Sequence, residues 1–274
     1  VASNFLRLIA FFFLKIKIIY HVHGFRFHSD ANIFNNIFFK IFERILSLKT
    51  NFYILINNED YTYVKNQLNS PSVLIKGVGA DTDKINNQIK FKNFNKKPHS
   101  ENKITIGVIG AYKKNKGWID IINLLDLLKN NNIIIKCYGY GDFTNYKLLS
   151  KKISSKIIFN SFINDIYQEM MSFDMLIQPS YREGLPVVIM EAMYLGIPII
   201  ASDIRGNRDL INNNVNGYLY KSGNILDLYS NVFKIIQNPQ LVDRFKKYNI
   251  KMINESFNRN SKTNEIFEKL NNII

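Results

Sequence analysis

Six short apolar runs between residues 103 and 220 constrain this chain more than any other feature. They fall at 103–110, 133–139, 156–160, 174–178, 197–202 and 217–220, with a helical pattern between successive runs. When strands alternate with helices, each crossover returns the chain to the same end of the sheet. The strands then run parallel and helices cover both faces. The chain is therefore read as α/β, with a doubly wound parallel sheet that holds ligands at the carboxyl ends of its strands. Helices at 224–237, 239–254 and roughly 260–273 follow the last run.

The best-marked unit runs from Gln178 to Asp203. Its strand ends at Pro179, and a loop with Arg182, Glu183 and Gly184 follows. Pro186 suits the first helical position, where its missing N–H costs nothing. The helix runs to Leu195, stops at Gly196, and gives way to a strand from Ile197. A helix that starts just past a strand's carboxyl end turns free N–H groups and a positive dipole end toward an anion. Glu191 sits about one and a half turns in, roughly 7–8 Å along the axis, and Glu183 lies in the loop before it. A diphosphate at the helix tip would place sugar hydroxyls on either side, one near each carboxylate, and carboxylates accept hydrogen bonds from paired hydroxyls. Taken alone, such a pair is more often two ordinary surface charges.

Upstream, residues 4–14 read as a helix and 16–22 as a strand that exits through His21-Val22-His23-Gly24-Phe25. A helix over 33–48 carries Ile33, Ile37, Ile41, Ile45 and Leu48 along one side. Strands at 52–56 and 72–76 follow, with Asn57 and Asn58 capping a helix between them. Residues 86–102, polar and without a clear period, read as a linker. The expected units are a domain over 1–85, the linker, a second domain over 103–254 and a closing helix within 255–274.

The chain carries 36 Lys and Arg against 22 Asp and Glu, a formal charge of +14. That excess points to anionic partners: nucleic acid, acidic lipid or a phosphorylated ligand. Cys137 is the single cysteine, so no intrachain disulfide forms and a reducing, cytosolic setting is expected. The early apolar run at 8–14 falls short of the roughly 20 residues a membrane span needs.

The first run of the second domain leads into Gly110-Ala-Tyr-Lys-Lys-Asn-Lys-Gly117. Glycines at a strand-to-helix turn let the backbone approach a ligand, and Lys113, Lys114 and Lys116 bring charge for phosphates. A solvated basic turn has the same composition. Gly139-Tyr140-Gly141-Asp142 lacks the third glycine of a dinucleotide fingerprint. Asp165 serves equally as a helix N-cap or a ligand residue. A histidine at a strand end, such as His23, is more often structural than catalytic. His21 is expected on the opposite face of the strand, outside any site. His21-x-His23 lacks the further ligands zinc requires, so no metal is expected.

Pro179-Ser180, Glu183-Gly184-Leu185-Pro186, Glu191-Ala192-Met193, Gly196-Ile197-Pro198, Ala201-Ser202-Asp203, Gly206 and Asn216-Gly217 occur in order. With this set, residues 103–254 resemble the donor-binding half of the retaining glycosyltransferases of family 4, which have the GT-B fold. His23-Gly24-Phe25, Glu43, Asn57 to Asp60 and Gly77 to Asp81 are similar to the late part of the acceptor-binding domain in bacterial polysaccharide transferases of that family. The resemblance implies two Rossmann-like domains and a nucleotide-diphosphate sugar donor, with UDP favoured.

It also implies roles. Lys116 and the amides around Pro186 to Val188 would meet the diphosphate near Gly110, with Gly184, Leu185, Pro186, Val187 and Val188 forming the donor-binding loop and helix start. Lys113 or Lys114 would replace an arginine that the family carries where this chain has Ala111. Ile163 would border the base, Glu191 the ribose and Glu183 the donor sugar, with His23 beside the transferred group. His23, Lys116 and Glu183 are the catalytic candidates. No cofactor is implied. The implied acceptor is a glycan or a polyprenyl-diphosphate-linked sugar, used in the cytoplasm at the inner face of the plasma membrane.

A nucleic-acid-binding protein would explain the charge but not paired carboxylates at a helix tip. An inactive or truncated sugar-nucleotide-binding module is the nearer alternative, because of Ala111. The three upstream strands are fewer than a complete acceptor domain has, so the first domain is expected to lack its start, roughly 70–100 residues in units of about 30.

Overall fold

The computed structural model describes residues 2–13, 16–28, 32–90, 103–129 and 131–271. Strands β1 (Ile19–Val22), β2 (Phe52–Leu55) and β3 (Ser72–Leu74) form a parallel sheet in that order. A second parallel sheet holds β4 (Ile104–Ile109), β5 (Ile133–Tyr138), β6 (Ile157–Asn160), β7 (Met175–Gln178), β8 (Ile199–Ser202) and β9 (Tyr218–Tyr220). Its order is β6-β5-β4-β7-β8-β9. The chain thus winds outward from β4 in one direction, then returns and winds outward from β7 in the other. The crevice between β4 and β7 is the reversal point at which doubly wound sheets hold ligands.

The helices are α1 (Ala2–Phe13), α2 (Ile33–Ser47), α3 (Asn58–Tyr63), α4 (Thr82–Lys90), α5 (Trp118–Leu128) and α6 (Thr144–Lys151), then α7 (Ile166–Met170), α8 (Val187–Tyr194), α9 (Asn207–Leu210), α10 (Ile225–Ile236), α11 (Pro239–Ser256) and α12 (Arg259–Asn271). Side chains in the second sheet alternate between two cores. Met175, Ile177 and Ile200 pack with Ile121, Leu124 and Val232 of α5 and α10. Leu176, Ile199 and Ala201 pack with Met190, Met193 and Ile253 of α8 and α11. Burial on both faces explains why these strands read as continuous apolar runs.

Several elements differ from their sequence-based bounds. Residues 16–18 precede β1, which begins at Ile19, and β3 ends at Leu74. Pro186 caps α8 instead of opening it, because ψ of 116° takes it out of the helical region. The predicted linker is wrong over 86–90, and residues 91–102 lie outside the described residues. Residues 82–90 form α4, whose Ile85 is buried against the second sheet's helices. Gln88 Nε2 donates to the Asn164 carbonyl (3.2 Å), and Tyr194 OH meets Asn86 Oδ1 (3.1 Å). Two isoleucines four residues apart sufficed to dock a helix that otherwise looks like polar connector.

The stripe on α2 is exposed, with Ile33, Phe34, Ile37 and Phe38 facing outward, while Glu43 and Leu46 turn inward. Arg7 of α1 is buried and donates to both Glu43 oxygens, at 2.8 and 3.0 Å, and to Tyr53 OH at 2.9 Å. After α11 the chain returns to the first sheet. Asn258 bridges Ala80, Arg259 Nη1 meets Asp81 Oδ2 at 2.8 Å, and Lys269 Nζ donates to the Leu74 carbonyl at 3.4 Å.

Candidate active site

A cavity of about 380 Å³ opens at the β4–β7 reversal point. Four of the six strand ends contribute to it: Gly110 and Ala111 after β4, Gly139 and Tyr140 after β5, Phe162 to Asn164 after β6, and Gln178 and Glu183 from β7 and its loop. Pro186, Val187, Val188 and Glu191 supply the wall made by α8. No side chain caps the amino end of α8, so its first N–H groups are available to an anion.

Glu191 is one of the two carboxylates that line the cavity. Tyr167 OH donates to its Oε1 at 2.7 Å. Burial lifts its carboxyl above the ordinary glutamate pKa, against the Tyr167 hydrogen bond and the charges of Lys84 and Arg259, which lower it. Lys84 itself lines the cavity. Neither Lys84 nor Tyr167 is evident as a site residue from the sequence. The available signal is Asp81, whose Oδ1 accepts from the Lys84 amide at 2.9 Å and so marks a helix start.

Glu183 and Lys116 face each other across the cavity mouth, with Nζ to Oε1 2.6 Å apart. Gln178 Nε2 donates to the same oxygen at 2.9 Å. These two contacts fix the carboxylate and leave Oε2 as its open acceptor. Gly117, at φ 72°, makes this approach possible: a Cβ there would overlap the Pro179 carbonyl oxygen.

Gly110, Lys116, Ile163, Glu183, Pro186, Val187, Val188 and Glu191 all line the cavity as expected from the sequence. Lys113 and Lys114 do not. Both are exposed, because the turn at 114–116 directs them to solvent. The second lysine on the cavity is Lys84. Gly184 and Leu185 are also absent from the lining. Leu185 is buried below the loop, and a Cβ on Gly184 would overlap the His23 carbonyl oxygen. Gly184 is therefore where the two sheets' loops touch.

His23 lines a neighbouring cavity, and so does His21, with ring centroids 4.3 Å apart. The expectation that His21 faces away fails because residues two apart on a strand share a face. Burial, and then the His23 charge, lowers the His21 pKa.

Arg205, just after β8, joins the two halves. It is buried and pairs with Asp60 (Nη1 to Oδ1, 2.7 Å). It also donates to the carbonyls of Phe27 (3.0 Å) and Phe25 (2.8 Å), and Nε lies 3.4 Å from the Glu183 carbonyl. One guanidinium thus holds the His23 loop against the Glu183 loop. Among the described residues, no group of three or more His, Cys, Asp and Glu is placed to hold a metal ion.

Among curated proteins, the chain is 28% identical to the putative glycosyltransferase EpsD of Bacillus subtilis, across 82% of this chain and 62% of that one. It is 23% identical to an Escherichia coli UDP-Gal:alpha-D-GlcNAc-diphosphoundecaprenol alpha-1,3-galactosyltransferase, across 86% of this chain and 64% of that protein. The chain therefore spans a little under two thirds of the length of these relatives. Among solved structures, Anabaena HepE in complex with UDP and glucose superposes with a TM-score of 0.79 at 19% identity, covering 99% of this chain and 76% of that one. That likeness shows the fold, which is GT-B. Residues 71–252 match the family of group 1 glycosyl transferases, and the chain belongs to that family.

Proposed function

We propose that this chain transfers a sugar from a nucleotide-diphosphate donor, with UDP as the nucleotide, and with retention at the anomeric carbon, as in family 4. One observation carries this reading: Glu183 and Glu191 line a single cavity on either side of the amino end of α8. Glu191 accepts from the ribose hydroxyls, and the open oxygen of Glu183 accepts from a donor-sugar hydroxyl. Lys116, Lys84 and the first amides of α8 stabilise the charge that builds on the departing diphosphate. The resemblance to the retaining enzymes of family 4 supports acceptor attack from the face the leaving group vacates. The acceptor is a glycan or a lipid-linked sugar in surface polysaccharide synthesis.

Because lysines and a helix end meet the phosphate charge, metal is not required. Slow hydrolysis of a UDP-sugar is expected to persist in EDTA within about twofold, since a pair of retained charge-assisted contacts carries the effect. Loss of most turnover, restored by Mg²⁺ or Mn²⁺, would reject this. Ala111 favours a second reading, a donor-binding module without activity. UDP binding without any donor hydrolysis is its signature.

The exposed face of α2 and the net charge of +14 support contact with an anionic membrane at the cytoplasmic side. No helix among the described residues is long and apolar enough to cross one. Phe34→Ser/Phe38→Ser is expected to weaken sedimentation with phosphatidylglycerol vesicles by about tenfold or more, given ~1.5–3 kcal/mol per buried phenylalanine. Unchanged sedimentation would remove α2 from the contact.

A further inference from the structure

A second cavity, about 260 Å³ and mostly polar, is lined by Arg182, the residue before Glu183. Its other walls include His21, His23, Arg26, Phe39 and Glu43. The charge on those walls is one-sided. Glu43 already accepts from Arg7 at both oxygens (2.8 and 3.0 Å) and from Tyr53 OH at 2.8 Å. Neither Arg26 nor Arg182 forms an ion pair or side-chain hydrogen bond with any described residue. Arg26 lies over the Phe39 ring, 5.2 Å from its centroid, which orients the guanidinium without occupying its N–H donors. Burial, and then the charges of Arg205 and Arg26, hold the Arg182 guanidinium below its ordinary pKa. Cations gathered this way are relieved by an arriving anion.

We propose that this cavity binds the phosphate end of the acceptor, with Arg26 and Arg182 selecting acceptors whose receiving sugar is attached directly to a phosphate or diphosphate. The inference rests on the donor reading above and names the substrate class that meets it. Two guanidiniums and two imidazoles offer more N–H donors than the two oxygens of a carboxylate can take, whereas phosphate presents three and diphosphate more. The planar forks of arginine suit such oxygens bidentately. Arg182 and Glu183 are consecutive, one on each cavity. A phosphate held by the arginine therefore stands close to the sugar held by the glutamate. The receiving hydroxyl then belongs to the unit next to that phosphate, not to a distant residue of a long glycan.

In chain saturated with UDP, inorganic pyrophosphate titrated by calorimetry probes this cavity alone. Binding is expected, and Arg26→Gln or Arg182→Gln should each weaken it about tenfold or more while leaving UDP affinity unchanged. Lys151→Gln/Lys152→Gln removes two charges at exposed positions and should leave pyrophosphate binding as it was. Farnesyl diphosphate in detergent micelles and N-acetylglucosamine 1-phosphate separate a lipid-linked from a water-soluble source by which binds more tightly. Glucuronate tests a carboxylate.

The proposal is overturned if pyrophosphate fails to bind, if the lysine pair weakens it as much as either arginine, or if glucuronate binds more tightly. Should Arg182→Gln lose UDP binding through misfolding, Arg182→Lys keeps the charge without the fork. It should retain UDP and still lose about tenfold for pyrophosphate. Failure of the unaltered chain to bind UDP would count against the donor reading alone. Comparing pyrophosphate affinity of that chain with Arg182→Lys then decides the acceptor site.

Discussion

Arg205→Ala is expected to lower the unfolding free energy by about 3–5 kcal/mol, the cost of breaking a buried ion pair by removing one partner. The guanidinium bonds Asp60 and the Phe25 and Phe27 carbonyls from a position almost closed to solvent. Its loss leaves all three acceptors without that donor. Urea unfolding gives the measurement, as a lower midpoint. Burial already holds Asp60 above the ordinary aspartate pKa, and the Arg205 charge lowers it. Without Arg205 the folded-state pKa rises further, so ionised Asp60 costs the fold most at neutral pH. Acidification through that raised pKa protonates Asp60 and shrinks the deficit. The loss should thus be larger at pH 7 than at pH 5. Lysine cannot reproduce a fork that meets three acceptors, so Arg205→Lys should restore little. A deficit under about 1 kcal/mol would mean that the loops are held together elsewhere.

Glu191→Ala and Glu183→Ala should separate donor binding from transfer. On the proposed reading the first removes a ribose contact and should weaken UDP by about 10- to 150-fold, from ~1.5–3 kcal/mol for a hydrogen bond to a charged group. The second should not weaken UDP, because it releases Lys116 from its 2.6 Å ion pair and leaves the ammonium free for the diphosphate. Transfer should nevertheless fall by a similar factor, since on the same reading the donor sugar loses the oxygen that accepts its hydroxyl. Calorimetry with UDP, beside an assay of turnover, makes the comparison. Equal losses of UDP affinity in both variants would reject the division of roles.

Local signals were enough to place most of the candidate site. Gly110, Lys116, Ile163 and Glu183 lie in the loops that follow strand ends and Glu191 in the helix after one of them, and a doubly wound sheet brings all such ends to one edge whatever the intervening chain does. The break at Pro179, the helix after Pro186 and the stop at Gly196 are each set by backbone chemistry within a few residues. Those features are written in neighbouring residues, so the sequence alone carries them.

What it does not carry is the choice of distant partners. Arg205 finds Asp60 across 145 positions, and Arg7 finds Glu43 across 36. No periodicity encodes such pairs, because either arginine is equally satisfied by water until the packing excludes it. Lys84 reaches the cavity only because α4 docks against α7 and α8 through Ile85, in a stretch too polar to announce itself. Lys113 and Lys114 show the reverse: the motif supplied the charge, and the turn that follows aimed it at solvent. The sequence determined which end of the sheet would bind a ligand. Tertiary packing decided which charges would face that ligand, since a side chain's direction depends on what its element packs against.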